Sequence, residues 1–417
     1  MATRPTKPLG AEDMQARLDR LRESANESAR TFRTAYTFYL VVALYILVIV
    51  SSTDHELLFR AGDVQMPIVN VGVPVVWFFV VVPWLLVLLH FNLLMQATFL
   101  ADKVRQYAIV VIEQTRAPKK RTEALGLLYP APLAHKVAEI HQRGSMRRLL
   151  NAMVLVTLAV LPPAVLIFAQ VKFLPYQGET FTWLHRAAIG VDIGLLWWLW
   201  PRVAEPQLAW RQWFKTRWIK ASAVVGATAL TGLFVVVVAD FPGGTIDRLT
   251  PSVEPLRDSL GRKYDLSNRT LVLKEPSPEV LAAHYRATCN PESGCDESAI
   301  AVGSAFWCEQ AKPLQLSHRS FRNANLSKST LCSANLEEAA LQATNLFDTK
   351  LRRANLRNAK LHEADLSGAI LHRADVRDAE LCEAPMYLVE LYRAVLRNAE
   401  LHKANLRWAI LHHADMR

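Results

Sequence analysis

Two rhythms of apolar and polar residues divide the chain. Over roughly the first 240 residues, apolar positions gather into five runs: Tyr36–Ser52, Val73–Ala97, Leu149–Val171, His185–Val203 and Ile219–Asp240. Runs of about twenty residues with few charges predict helices that cross a bilayer, since a helix rises about 1.5 Å per residue and the hydrocarbon core is about 30 Å thick. The fourth run is short and carries Asp192, which makes it the weakest of the five by this pattern. From Phe321 to Met416 the rhythm changes to a strict five-residue ruler of twenty positions. Sixteen are Leu; the others are Phe321, Val376, Met386 and Met416. Two residues ahead of these, fifteen of nineteen positions are Ala, with Ser329, Thr344, Thr349 and Val389 as exceptions. A period of five is neither the 3.6 of a helix nor the 2 of a strand, so it marks an internal repeat rather than an ordinary helix or strand.

The repeat units read Ala324-Asn325-Leu326, Ala334-Asn335-Leu336, Ala354-Asn355-Leu356, Ala364-Asp365-Leu366 and Ala404-Asn405-Leu406. In this signature the segment 316–417 resembles the pentapeptide-repeat family, A(D/N)LXX. The resemblance implies a right-handed quadrilateral β-helix (β-solenoid) with four pentapeptides per coil, so twenty units give about five coils. Such a solenoid has room inside for one Leu-sized and one Ala-sized side chain per side, and its coils stack at the strand spacing of about 4.8 Å. Inward Leu and Ala carry no chemistry, so any recognition belongs to the outward positions.

Residues twenty apart form outward columns in that geometry. One column holds Glu337, Arg357, Arg377, Arg397 and Arg417; an adjacent pair holds Arg352/Arg353, His372/Arg373, Tyr392/Arg393 and His412/His413. Arg353, Arg357, Arg373, Arg377, Arg393, Arg397 and Tyr392 are therefore the candidate interaction face, facing an acidic protein, anionic headgroups or nucleic acid, or else simply solvated among counter-charges. From 321 to 417 there are 14 Lys and Arg against 12 Asp and Glu. The quinolone-resistance members of the family bind gyrase with a strongly acidic, DNA-like rod; this near-neutral rod lacks that acidity, so gyrase and nucleic-acid binding are set aside. The column His362–Cys382–His402 has metal-ligand residue types, but three ligands stacked on one flat face converge poorly on a tetrahedral ion, so no metal is expected.

Lys and Arg in the connecting segments give the expected topology. The first 35 residues hold seven and the segment 98–148 holds ten, whereas 53–72 holds only Arg60 and 172–184 only Lys172. The alternation places the N-terminus inside and, after five crossings, the repeat outside; a fourth run that only dips into the membrane would return the repeat to the cytoplasm. Trp197, Trp198, Trp200, Trp210, Trp213 and Trp218 suggest an interfacial belt. Pro83, Pro162 and Pro163 predict kinks in the second and third spans. Asp192 is a candidate intramembrane polar site, with Arg186, His90, Asn92 or Gln170 as possible partners.

The expected domains are an amphipathic helix over 1–35, a transmembrane domain over 36–240 with a helical loop at 98–148, a linker and solenoid cap over 241–315 with a short helix near Pro278–Arg286, and the β-helix over 316–417. Phe241-Pro242-Gly243-Gly244 is a helix stop. Of the five cysteines, Cys289, Cys295 and Cys308 lie in the linker, where Cys289 and Cys295 could pair in an oxidising exterior, while Cys332 and Cys382 point outward from the rod. With no phosphate loop, nucleophile elbow or catalytic carboxylate pair, the expectation is a non-enzymatic, cofactor-free scaffold. It is held in a bacterial inner membrane, presents the β-helix to another protein at the cell envelope, and forms homo-oligomers through the open end of the rod. The alternative is an oligomeric channel, transport or membrane-acting defence component with the β-helix as sensor.

Overall fold

The computed structural model describes residues 11–60, 63–66, 71–115, 117–138, 144–204, 218–240, 246, 249–253, 255–256, 259–260, 263–272, 308, 310 and 313–417. The chain divides into two compact units. The first comprises Met1–Ser52, Phe78–Gln170 and Trp183–Val236; the second comprises Thr53–Trp77, Val171–Thr182 and Val237–Arg417. The helices in chain order are α1 (Ala11–Ser52), α2 (His55–Arg60), α3 (Val75–Gln114), α4 (Pro118–Gly126), α5 (Pro132–Val137), α6 (Gly144–Leu155), α7 (Leu161–Phe173), α8 (Glu179–Ala204) and α9 (Trp218–Leu233). The expected helix stop at Phe241–Gly244, the helix near Pro278–Arg286, Trp210, Trp213, Cys289 and Cys295 lie outside the described residues.

In the first unit the polar N-terminal segment and the first apolar run form one unbroken helix, α1. Among the described residues three helices are long and apolar enough to cross a membrane: Glu12–Ser52, Val75–Gln114 and Gly144–Tyr176. They coincide with the first three apolar runs. The fourth run forms α8, 26 residues long, whose Arg186, Asp192 and Arg202 dilute its apolar character. The fifth forms α9 and a π-helical turn, Phe234–Val238, with an apolar stretch at Val224–Val238. A second π-helical turn, Val156–Val160, joins α6 to α7 immediately before Pro162 and Pro163. Pro162 has no N–H to give to the carbonyl one turn back, at Leu158, so that carbonyl needs another donor inside the bundle.

In the second unit the five-residue ruler becomes a β-helix. Parallel bridges link residues twenty apart in constant register from Gln315↔Asn335 to Val395↔Asp415, except at Asp365 and Pro385, where proline has no N–H to give and the Leu366 N–H to Pro385 carbonyl bond (2.8 Å) keeps the register. Twenty residues at five per side give four sides per coil. Each side ends in a turn: the Ala N–H donates to the preceding centre's carbonyl, as from Ala354 to Leu351 at 3.1 Å, and the residue two after each centre has positive φ. Between coils, Leu356 N–H donates to the Asp375 carbonyl at 2.7 Å and Asp375 N–H to the Ala354 carbonyl at 2.9 Å. The Asn or Asp of the signature has a local task, because its side-chain oxygen accepts the N–H two residues ahead. Examples are Arg357 to Asn355 at 3.2 Å and Ser367 to Asp365 at 3.0 Å. Inside, Leu356, Ala359, Leu361 and Ala364 are fully buried. The polar exceptions in the Ala columns are satisfied by backbone: Thr344 and Thr349 hydroxyls donate to the Phe321 and Leu326 carbonyls at 2.8 and 2.9 Å.

Only Gly368 (φ 68°) is glycine among the left-handed turn positions of this repeat; Leu388 (φ 57°), twenty residues on in the same column, is half-exposed and bears a branched side chain there. The left-handed region costs a non-glycine residue about 1–2 kcal/mol, partly offset by glycine's greater chain entropy. Leu388→Gly is therefore expected to stabilise the rod by up to about 1 kcal/mol. A denaturant midpoint at or below that of the unchanged chain would refute this.

The ladder begins upstream of the expected boundary at 316. Asp265↔Asn325 and Thr270↔Thr330 are sixty residues apart, whereas the other two sides of the same coil, Gln315↔Asn335 and Ser320↔Ala340, are twenty apart. The first coil is thus assembled from two stretches around an excursion of forty residues (60 − 20). Besides Tyr264 of the expected cap region 241–315, the base of the rod is packed by the connections that follow the first and third apolar helices. Phe59 of α2 packs against Tyr264 and Phe321 with ring centroids 5.7 and 5.1 Å away. Arg319 donates to the Leu58 carbonyl at 3.2 Å, to the Tyr264 hydroxyl at 3.0 Å and to the Phe59 carbonyl. Its guanidinium lies 5.0 Å over the ring of Tyr176, in the 3-10 turn Leu174–Tyr176. The Gln177 side chain accepts from the Ser320 hydroxyl at 2.7 Å. A hairpin of β1 (Asp63–Met66) and β2 (Val71–Pro74) also belongs to this unit.

Candidate functional sites

The polar site of the first unit is built on the proline-freed carbonyl. His90 of α3 places Nε2 3.0 Å from the Leu158 carbonyl and Nδ1 2.6 Å from Oδ1 of Asp192 on α8. Both side chains are 0% exposed. Of the partners considered for Asp192, His90 is the one that meets it. Gln170 and Arg186 turn instead to the second π-helical turn. Gln170 donates to the Val235 carbonyl at 3.1 Å, and Arg186 to Val235 and Val236 at 3.3 and 3.0 Å. The Arg186 guanidinium also lies 4.7 Å over the Trp183 ring. Trp197 donates to the Thr228 hydroxyl at 3.0 Å, so this member of the expected belt ties α8 to α9.

On the rod, the Arg column is extensively neutralised. Arg377 forms a two-pronged pair with Asp375, its Nε at 2.7 Å, and the pairing holds the Asp375 carboxyl below the usual carboxylate range. Arg397 and Arg417 both reach Asp415, at 2.5 and 3.2 Å. Arg357 is half-buried, and its Nε has no hydrogen-bond partner among the described residues. Arg353, Arg373 and Arg393 are exposed, with the Arg393 guanidinium 5.2 Å over the Tyr392 ring. Tyr392 meets His372 and His413 edge-on, at 5.8 and 5.9 Å. The sequence brought these columns together; it did not show that acidic residues of the same side would fold onto them.

His372 bridges Arg352, 2.8 Å from Nδ1, and Glu390, 2.7 Å from Nε2. Burial, then the Arg352 charge, holds its imidazole below the usual range despite Glu390. Folding therefore favours neutral His372. The stability this contributes is present above the unfolded imidazole value of about 6.5 and is lost as pH falls through the lower folded value. His372→Gln, which can still accept from Arg352 and donate to Glu390, is expected to flatten the acid side of the stability curve; an unchanged slope would refute the assignment.

The column His362–Cys382–His402 does not assemble as a ligand set. His362 Nδ1 lies 2.9 Å from the Cys382 backbone carbonyl, and Cys382 turns its sulfur to Glu400. His362, Glu363 and Glu383 do place ligand atoms within 4.8 Å of one another, but the Lys403 ammonium lies on Glu383 at 2.9 Å. Cys332 is not outward and free as expected. It is fully buried and disulfide-bonded to Cys308, which lies ahead of the repeat and is itself buried. Cys382 remains a free thiol.

The family profile described as Pentapeptide repeats matches eight copies, over residues 315–348, 349–384 and 390–417. The C-terminal region is a pentapeptide-repeat domain. The handedness of its β-helix is therefore right-handed. Among solved structures, the domain is similar to a pentapeptide-repeat protein of the Arabidopsis thaliana thylakoid lumen (26% identity, 24% of this chain and 64% of that one, TM-score 0.17). It is also similar to HetL of Nostoc sp. strain PCC 7120, involved in heterocyst differentiation regulation (30% identity, 24% and 57%, TM-score 0.15). A third is Rfr23 of Cyanothece 51142 (24% identity, 37% and 86%, TM-score 0.12). The chain spans about three fifths of the length of the first two. No curated protein matches it.

Proposed function

We propose that the protein is an integral-membrane scaffold whose pentapeptide-repeat domain presents its outer columns to a protein partner, without enzymatic activity. The observation that carries this reading is the base of the rod. The connection after the first apolar helix supplies Leu58 and Phe59, and the connection after the third supplies Tyr176 and Gln177, to the rod's first coil. A rod seated in this way is held rather than tethered, which suits presentation. Both connections are poor in Lys and Arg, as outer loops are. Their union with the rod supports five crossings, a cytoplasmic N-terminus and an extracytoplasmic rod of about five coils. The Cys308–Cys332 disulfide fits an oxidising compartment. Arg353, Arg373, Arg393 and Tyr392 are the part of the basic face that this reading assigns to a partner; homo-oligomerisation through the rod stays part of the proposal.

The test uses Cys382 as a topology reporter, with Cys289 and Cys295 changed to Ser and the Cys308–Cys332 bridge retained. Labelling of intact cells by a membrane-impermeant thiol reagent is the expected result. Labelling only after lysis would put the rod in the cytoplasm and overturn the outer placement.

A further inference from the structure

We propose that Tyr39, His90 and Asp192 form a proton-exchange site inside the helical bundle, an activity beyond holding the rod. The proton count follows from the geometry. A backbone carbonyl only accepts, so His90 Nε2, 3.0 Å from the Leu158 carbonyl, carries a hydrogen. The 2.6 Å contact between His90 Nδ1 and Asp192 Oδ1 must also hold one proton. Whether that proton rests on nitrogen or on oxygen, the pair is neutral overall. A neutral pair is the state that an apolar bundle tolerates.

Two further atoms complete the site. Asp192 Oδ2 and the Tyr39 hydroxyl are both buried with no hydrogen-bond partner among the described residues. The Tyr39 ring lies 5.8 Å from the His90 ring, and the phenol is within electrostatic reach of Asp192. Release of the shared proton to water at the membrane surface leaves a neutral imidazole beside a carboxylate. Tyr39, whose buried hydroxyl has no partner among the described residues, is the donor this proposal assigns to that carboxylate at Oδ2. Uptake of a proton from water restores the neutral pair, so atoms and charge balance with no other reactant. From the elements around the pair, α1 contributes Tyr39, α3 His90 itself, the π-helical turn only the Leu158 carbonyl, and α8 Asp192. Arg186 of α8 is engaged by the Val235 and Val236 carbonyls. The π-helical turn and the proline that frees Leu158 are costly local features, and such features gather at functional positions. If stability alone were served, packed leucines would hold these helices as well or better.

The experiment is an infrared pH titration of the full chain in lipid nanodiscs, in light and heavy water. The expected result is a pH-dependent carboxyl or imidazole band that shifts in heavy water and disappears in Asp192→Asn and in His90→Gln. Tyr39→Phe, which preserves the ring and removes only the hydroxyl, is expected to shift the midpoint of the wild-type band. If the wild-type spectrum does not change with pH, the pair is only a structural hydrogen bond and the proposal is overturned. A band that titrates identically in Tyr39→Phe and Asp192→Asn overturns it equally. Because the band is read in the whole protein without a partner, failure here leaves the scaffold reading intact, and failure of thiol labelling leaves this one intact.

Discussion

Arg319→Ala is expected to loosen the rod from its base at a cost of about 2–4 kcal/mol. The side chain donates to the carbonyls of Leu58 and Phe59 and to the Tyr264 hydroxyl, and it lies against the rings of Tyr176 and Phe321 at 5.0 and 5.4 Å. Bonds from a charged donor contribute about 1.5–3 kcal/mol, and removing the donor leaves partly buried carbonyls without it. Arg319→Lys should recover little. An ammonium lacks the planar fork that serves separate acceptors while stacking on rings. The check is limited proteolysis with a thermal melt of the full chain in detergent. Melting points for Ala and Lys variants that match the unchanged protein would show that the contacts at the base contribute nothing to holding it.

The second large effect lies in the bundle. His90→Ala removes the hydrogen-bond partner that a fully buried carboxyl has among the described residues and opens a cavity beside Tyr39, so a loss of about 3–5 kcal/mol is expected. The double variant His90→Leu/Asp192→Leu should regain most of that stability, since neither half of the pair is then left alone. The same double variant should lose the pH-dependent infrared band. Stability and proton exchange would thereby separate in one chain. A double variant as unstable as His90→Ala would mean that the bundle depends on the ion-pair geometry itself.

Much of this was legible in the sequence because period is a strong signal. Twenty positions in register marked the repeat, its resemblance to the pentapeptide-repeat family implied the four-sided β-helix, and three of the five apolar runs became helices long enough to span a bilayer. The start of the rod was not legible. Leu266 and Leu271 keep the five-residue step, but they stand alone, separated from Leu316 by the excursion, and two units cannot be told from chance. The Cys308–Cys332 bridge was hidden for the same reason, since Cys308 lies outside the repeat and the five-residue ruler gives it no position on the rod. Asp192 stood out as a lone acid, yet its partner depended on helix rotation. A hint existed: Pro162 identifies Leu158 as a carbonyl without its helical donor, and His90 lies in another apolar run. The neutralisation of the Arg column was the hardest to see, because Asp375 and Asp415 read as turn-forming signature residues before they read as counter-ions.

The divided first coil has a consequence for biosynthesis. Its neighbours in space come from Phe59, Tyr176, Tyr264 and Phe321, so the earliest and latest pieces leave the ribosome more than two hundred and fifty residues apart. Solenoid coils grow by templating on the coil before, and on the five-crossing reading proposed above that template is incomplete until both earlier connections have been delivered to the same side of the membrane. A chain inserted with one helix the wrong way round would lack part of the template. In that proposal nucleation of the rod would act as a checkpoint on membrane insertion: correctly threaded chains would close a rod that resists proteases, and misthreaded ones would stay open to degradation.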